Sequence, residues 1–305
     1  NYHRAIQRRP SKAKPTVQFT ADVYDRALVT RGLSKELSRG SSRDLLVQTL
    51  SSERRSLESV RVPPYWTPIG TGWNPKTVLR ETLPVHSSEF KRVADKFHET
   101  CNRTEFNIQS ITRVQNLTEW LLFQEKARAM KARDDEKGAN LQELFHGTAE
   151  QIIDAIVSHN FSRTHSTTER YGKGVYFARD ASYSAHAGYA KPNSEGEQFM
   201  ILTKVLVGHS TYGNGRMQEP PPRKLPDGSD GPLYDSLCDD VDMPGIIVSC
   251  HRDYQAYAEH VICFSSVTER QRAATRRQAQ KQARRQARMQ AGLPPSKLPD
   301  TIALR

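Results

Sequence analysis

Three short segments carry the side chains that could do chemistry. Leu144-Phe145-His146-Gly147-Thr148 sets a histidine directly before a glycine. It sits at what reads as a strand end, where the missing Cβ lets a ligand come close to backbone polar groups. Gly172-Lys173-Gly174-Val175-Tyr176-Phe177-Ala178 puts Tyr176 on a strand behind a glycine-rich turn, and the helix after it carries Ser182, Ser184 and, at its end, Tyr189. The groups on offer are an imidazole, hydroxyls, aromatic rings and backbone amides, which work by hydrogen bonding and ring contact. Singly, each has a plainer reading. A lone His–Gly pair is usually structural, a strand tyrosine is more often core than ligand, and Gly172-x-Gly174 lacks the strand–turn–helix order of a dinucleotide fingerprint.

The elements that must position these residues follow from patterning. Leu144–Gly147 reads as a strand, Ala149–Val157 as a helix with Ile152, Ile153, Ile156 and Val157 inward, Gly174–Ala178 as a strand, and Ala181–Tyr189 as a helix. Phe199–Val207, Ile246–Cys250 and Tyr257–Phe264 are further strands, and Glu219–Gly228 is a long surface loop. Upstream, Ser87 or Ser88 starts a helix on which Phe90, Val93, Ala94 and Phe97 keep the i, i+3, i+4, i+7 spacing. Phe106–Val114 is a strand, and Asn116-x-x-Glu119 resembles a capping box opening a helix over Leu117, Trp120 and Leu121 towards Met130. Pro63-Pro64 and Trp66 open this apolar region, and Gly70, Gly72, Trp73 and Pro75 mark a loop. Many strands with few helices between them predict an α+β fold rather than a doubly wound sheet.

Composition bounds the rest. The 305 residues are 36% hydrophobic and carry 45 Lys+Arg against 34 Asp+Glu, a net +11. The surplus is not spread evenly. Residues 1–61 hold 13 basic and 6 acidic side chains, 265–305 hold 10 and 2, and 62–264 hold 22 and 26. Three regions are expected: a basic, partly helical or disordered N-terminal flank (1–61), a folded domain (62–265), and a basic Arg/Gln/Ala tail (266–305), helical or disordered. The N-terminal flank offers helices around Ala21–Thr30 and Ser41–Ser59. Apolar runs are as short as Phe199-Met200-Ile201-Leu202, so no membrane span is expected. Asn1–Pro15 holds five Lys/Arg and no apolar stretch, so it does not read as a secretory signal, and an opening Asn suggests a piece of a longer chain. Cys101, Cys238, Cys250 and Cys263 show no C-x-x-C spacing, which argues against zinc and for a reducing compartment, nuclear or cytoplasmic.

Taken together and in order, the segments resemble the catalytic domain of the PARP family of ADP-ribosyltransferases, the diphtheria-toxin-like class. The resemblance runs from Pro63-Pro64-Tyr65-Trp66 through Phe90–Thr100, Ile111-x-Arg113-Val114-Gln115-Asn116, Trp120 and Leu144–Thr148. It continues through Tyr171-Gly172-Lys173-Gly174-x-Tyr176-Phe177-Ala178-x-x-Ala181-Ser182-Tyr183-Ser184, Pro220-Pro221-Pro222 and Gln255-Ala256-Tyr257-x-Glu259. It implies the ADP-ribosyltransferase fold, with two packed mixed or antiparallel sheets and flanking short helices, and NAD+ as co-substrate with no metal. His146 would bond the adenosine ribose, with Thr148 close by. The Gly147 backbone and Ser184 hydroxyl would hold the nicotinamide carboxamide, and Tyr176 and Tyr189 would sandwich its ring. In the stretch Asn160–Arg170, His165 either contacts the phosphates or is a solvated loop residue.

The third catalytic position departs from the polymer-forming members, which carry a glutamate eight residues before the Gln of the "QAY" segment. Counting back from Gln255 gives Ile247, and counting forward from Met243-Pro244 gives Ile246 if the turn carries an extra residue. No carboxylate lies between Met243 and Arg252, and Glu259 matches a structural glutamate of the next strand. An adjacent carboxylate would stabilise an oxocarbenium-like transition state and orient a ribose hydroxyl for elongation. Its absence implies mono- rather than poly-ADP-ribosylation, onto protein acceptors including the chain itself. Two other readings stay open: a silent NAD+-fold scaffold that binds nucleic acid through the basic flanks, and transfer to nucleic-acid termini.

Overall fold

The computed structural model describes residues 62–68, 77–134, 138–165, 170–249 and 254–290. The helices expected within 1–61, the loop around Gly70–Pro75 and Cys250 lie outside the described residues.

Helix α1 (Ser88–His98) begins where Ser87 Oγ accepts a hydrogen bond from the Phe90 amide at 3.1 Å, and it buries Val93, Ala94 and Phe97. Helix α2 (Leu117–Asp134) begins at Asn116, whose Oδ1 accepts from the Glu119 amide at 3.2 Å. The Asn116 amide donates to the Tyr257 hydroxyl at 3.1 Å, and Glu119 Oε2 accepts from Asn160 Nδ2 at 3.1 Å. Both cap groups therefore tie the helix start to neighbouring elements.

Nine strands form one hydrogen-bonded sheet among the described residues. One half runs β1 (Leu79–Thr82), β2 (Phe106–Gln115), β11 (Ala256–Ser266), β5 (Gln198–Leu206) and β3 (Leu141–Thr148). The other half runs β4 (Val175–Ala178), β10 (Ile246–Ser249), β9 (Ser236–Cys238) and β6 (Ser210–Tyr212). All neighbours are antiparallel except β6 and β9. The halves meet at a single register pair, Phe145↔Ala178 of β3 and β4. The expected α+β character is thus met by a largely antiparallel sheet in two halves, joined at a narrow seam. The Pro-rich segment folds into its own hairpin, β7 (Pro222–Lys224) and β8 (Asp230–Leu233), turning through Gly228 at φ +84°.

The first half is covered on both faces, which explains the continuous apolar run of β5. Met200 and Leu202 pack with Val93 and Phe97 of α1 and with Phe264, while Ile201 packs against Ile153, Ile156 and Val157 of α3 (Glu150–His159). The helix expected to reach Tyr189 is only one turn long, α4 (Ala181–Ser184). Beyond it, Gln198 Nε2 gathers the following turn, donating to Ala185 O at 2.8 Å and to Ala190 O at 2.9 Å. Tyr189 then sits on a turn closed by its own amide onto His186 O at 2.8 Å.

A polar chain running from the surface to buried Glu259 fastens the Pro63–Thr67 segment to the sheet. The Tyr65 hydroxyl donates to Glu259 Oε1, and Lys204 Nζ lies 3.1 Å from Glu259 Oε2. Glu259 is fully buried, and Trp66 packs against Trp120 and Tyr257. Arg113 in turn bridges Glu81 and Glu89, each at 2.5 Å, and His260 Nε2 lies 2.8 Å from Glu89. Glu259 therefore ties the Tyr65 segment to β11 and β5. Removing one partner of a buried ion pair strands the other. Glu259→Ala is expected to cost about 3–5 kcal/mol of folding free energy, part of which Lys204→Met in the same background should restore. Chemical denaturation measures both, and a Glu259→Ala loss below about 1 kcal/mol, the range of an exposed pair, would contradict this account.

Candidate active site

The seam between β3 and β4 places the candidate residues. Past Phe145↔Ala178 the two strands no longer pair, and the His146 ring spans the gap, its Nδ1 2.9 Å from the Tyr176 carbonyl oxygen. A carbonyl only accepts, so Nδ1 carries the proton and Nε2 presents a lone pair. Phe161 meets the ring edge-on at 5.2 Å and Phe177 lies 5.7 Å away. Burial among them holds the imidazole pKa below its ordinary value, against the opposing pull of the Tyr176 carbonyl. At neutral pH His146 is thus an uncharged hydrogen-bond acceptor.

Gly147 is required by close approach. A Cβ there would lie 2.2 Å from Ser184 O, so its absence lets α4 seat directly on β3. The Ser184 hydroxyl, buried, donates to Phe145 O at 3.1 Å and keeps its lone pairs for a ligand. Thr148 closes the strand, nearly buried. Tyr176 is fixed through its hydroxyl, which donates to Gly172 O at 2.7 Å and accepts from the Tyr171 amide at 2.9 Å. Gly172 sits at φ +109° with Leu237 Cδ1 2.4 Å from where its Cβ would be, so the turn under Tyr176 needs glycine. Hydrogen bonds through the seam therefore link His146 to Tyr176, while α4 brings Ser184 to Phe145 and Gly147.

Tyr189 has a neighbour that sequence reasoning missed. Its ring stacks on Tyr183 at 5.1 Å and 22° between planes, with the two hydroxyls 2.9 Å apart. Burial, and then the bond to Tyr189, pushes the Tyr183 hydroxyl pKa upward. Tyr183 lies inside a quoted motif, and its spacing of six residues from Tyr189 was the available signal. It becomes visible only once the helix is seen to end at Ser184. Residues 166–169 and the side chain of His165 lie outside the described residues.

Strand register separates the two isoleucines. Ile246 pairs with Ala178, Ile247 with Phe177 and Val248 with Tyr176. Side chains alternate along a strand, so Ile246 shares a face with Tyr176, and Ile247 takes the opposite one. Ile247 lies in a core cluster with Leu144, Val175, Phe177 and Cys238. Asp239 closes the turn into β10, its Oδ1 accepting from Gly245 N at 3.0 Å and Ile246 N at 2.8 Å. On the far side Tyr254 enters β11 at φ +66°, unusual for a bulky residue. Among the described residues no group of three His, Cys, Asp or Glu could hold a metal ion, and no helix is long and apolar enough to cross a membrane.

Comparison with known proteins covers the stretch of chain that forms this site. Residues 87–262 match the family "Poly(ADP-ribose) polymerase catalytic domain". The chain is 32% identical over 236 residues to protein mono-ADP-ribosyltransferase PARP14 of Homo sapiens, covering 77% of this chain and 12% of that protein. It is 34% identical to human PARP12, covering 67% and 28%, and 33% identical to human PARP11, covering 68% and 64%; both carry the same mono-ADP-ribosyltransferase title. The chain thus spans less than two thirds of the length of each.

The tautomer and the glycine contact each make a prediction. In NMR titration His146 is expected to be Nδ1-protonated and to titrate below about 6.5, the ordinary imidazole value. Because folding lowers its pKa, its contribution to stability is complete above about pH 6.5 and is lost as pH falls through the folded-state value. An Nε2–H tautomer or a midpoint above 6.5 would contradict the assignment. Gly147→Ala is expected to displace α4 and to destabilise the fold by about 1–3 kcal/mol through overpacking, read as a shift in the denaturation midpoint. A change within a few tenths of a kcal/mol would mean that the close approach is not needed.

Proposed function

The chain belongs to the PARP catalytic-domain family, and on that premise we propose that it is an NAD+-dependent mono-ADP-ribosyltransferase. It would move one ADP-ribose onto an acceptor side chain and release nicotinamide. When bound, NAD+ supplies the ADP-ribosyl group and the leaving base. The residues at the seam fit it by their chemistry. His146 Nε2 accepts a hydrogen bond from an adenosine ribose hydroxyl, with Thr148 beside it. The Gly147 backbone and the Ser184 hydroxyl meet the nicotinamide carboxamide. Tyr176 and Tyr189 offer ring faces to a planar cationic base, each worth roughly 0.5–2 kcal/mol.

The observation that supports the mono reading is that β10 offers an isoleucine at either candidate for the third position, Ile246 on the Tyr176 face or Ile247 on the opposite one. There the family resemblance implies a glutamate in polymer-forming members. An isoleucine supplies no charge to a positively charged transition state and accepts no proton from a ribose hydroxyl. An acceptor Asp or Glu brings its own carboxylate and attacks directly, so a first transfer goes through. A neutral ribose hydroxyl finds no base at this position, so elongation does not follow. Acceptor proteins, the chain itself among them, belong to this proposal. So does a nuclear or cytoplasmic setting, supported by Cys101, Cys238 and Cys263, which are free and buried, with burial pushing the Cys101 and Cys263 thiols up to about 12.

Incubation with labelled NAD+ tests the reading. Wild type is expected to give one sharp modified band, with His146→Ala and Tyr176→Ala each lowering NAD+ consumption roughly 100-fold through lost positioning. A ladder of long products would overturn the mono assignment, and equal consumption in all three would leave only a silent scaffold.

A further inference from the structure

Helix α5 (Val267–Gln290) continues straight from β11 and is the longest helix described. Its first turns are built into the domain. Ser266 Oγ caps the Glu269 amide at 3.1 Å, Val267 N donates to Glu105 O at 2.9 Å, and Ala273 is buried. Beyond Ala273, every residue whose side chain is described is exposed. The helix sequence holds eight Lys/Arg and a single acidic residue, Glu269. At 100° per residue, Arg270, Arg277, Lys281, Arg284 and Arg285 fall within an arc of about 100° and run about 22 Å along the axis. Arg277 pairs with Glu195 on the domain, and Arg270, Lys281, Arg284 and Arg285 have no acidic partner among the described residues. The opposite side is sparser in charge: Arg272, paired with Glu269, and Arg276 stand there among Gln271, Thr275, Ala279, Gln282, Ala283 and Gln286.

We propose that this row is a binding surface for the phosphodiester backbone of nucleic acid, tethered to the domain by the first turns of α5. Four observations favour that partner. Like charges three and four residues apart, Arg277–Lys281, Lys281–Arg284 and Lys281–Arg285, repel one another, so the row weakens the helix until a polyanion neutralises it. Guanidinium forks pair with phosphate oxygens in two-point geometry, and arginines make up four of the five positions. The helix lacks the apolar face that a lipid surface requires. It is also narrow enough to lie along a duplex groove about 12 Å wide. The inference is independent of the transferase reading.

Fluorescence anisotropy of the full chain with labelled single-stranded RNA and labelled duplex DNA, over a salt series, tests it. At least one of the two is expected to bind, which identifies the source of the phosphates. Replacing Arg270, Lys281, Arg284 and Arg285 by Gln should weaken that binding at least tenfold near 0.1 M salt. It should also flatten the slope of log K against log salt by about 3, at roughly 0.7–0.9 per phosphate contact. The control removes the same charge elsewhere, with Lys91, Lys131, Lys191 and Arg216 changed to Gln. An equal loss in the control, undiminished binding in the row variant, no binding to either nucleic acid, or equal capture of polyglutamate or phosphatidylserine vesicles would each overturn the proposal.

Discussion

Almost everything at the candidate site depends on one hydrogen bond across one gap. The sheet is continuous through a single β3–β4 register pair, and past it the strands are held by the bond between His146 Nδ1 and the Tyr176 carbonyl. That bond does two jobs. It joins the two halves of the sheet where the ladder stops, and it fixes the imidazole tautomer so that Nε2 faces outward as an acceptor. A fully paired ladder at this position would have consumed the strand edges that a ligand needs, and an unbridged gap would have left them unpositioned. The glycine at 147 belongs to the same constraint, because only there can the α4 carbonyl come near enough to bring Ser184 to the strand.

The remainder of the domain makes that gap stable. Strand β11 is buried along nearly its whole length and pairs on both sides. Its Glu259 and His260 anchor the Tyr65 segment and the Arg113 carboxylate cluster well away from the seam. Buried charge is thus spent on architecture, while the seam itself is neutral: a neutral imidazole, hydroxyls, rings, and isoleucine where a carboxylate would be catalytic. Binding and charge stabilisation are separated, and in the proposed reaction the missing charge arrives with the acceptor. The basic surplus of the chain lies elsewhere again, on the flanks and in the row along α5.

Much of this was legible in the sequence. Apolar spacing placed α1, α2, α3 and the strands β2, β3, β4, β5, β10 and β11 within a few residues. The short β1, β6 and β9 gave no such signal, and the expected loop Glu219–Gly228 holds β7 and leads into β8. His146, Gly147, Tyr176 and Ser184 stood out through type, order and family resemblance. What could not be read depends on long-range partners. The turn that follows the early end of the helix at Ser184 is held by Gln198 of β5, which bonds Ala185 O and Ala190 O. The Tyr183–Tyr189 stack follows from that early stop. The choice between Ile246 and Ile247 needs the β10–β4 register, since a one-residue slip reverses the face of every side chain. The clustering of five basic residues along one arc also required knowing that Val267–Gln290 is a continuous helix.

The central claim is that the seam binds and orients its co-substrate without a carboxylate to elongate the product. Mass spectrometry of the chain after incubation with NAD+ tests it most directly, because it counts ADP-ribose units at each modified residue. The account predicts one unit per site, on acidic side chains. Two or more units joined at a single residue would contradict it.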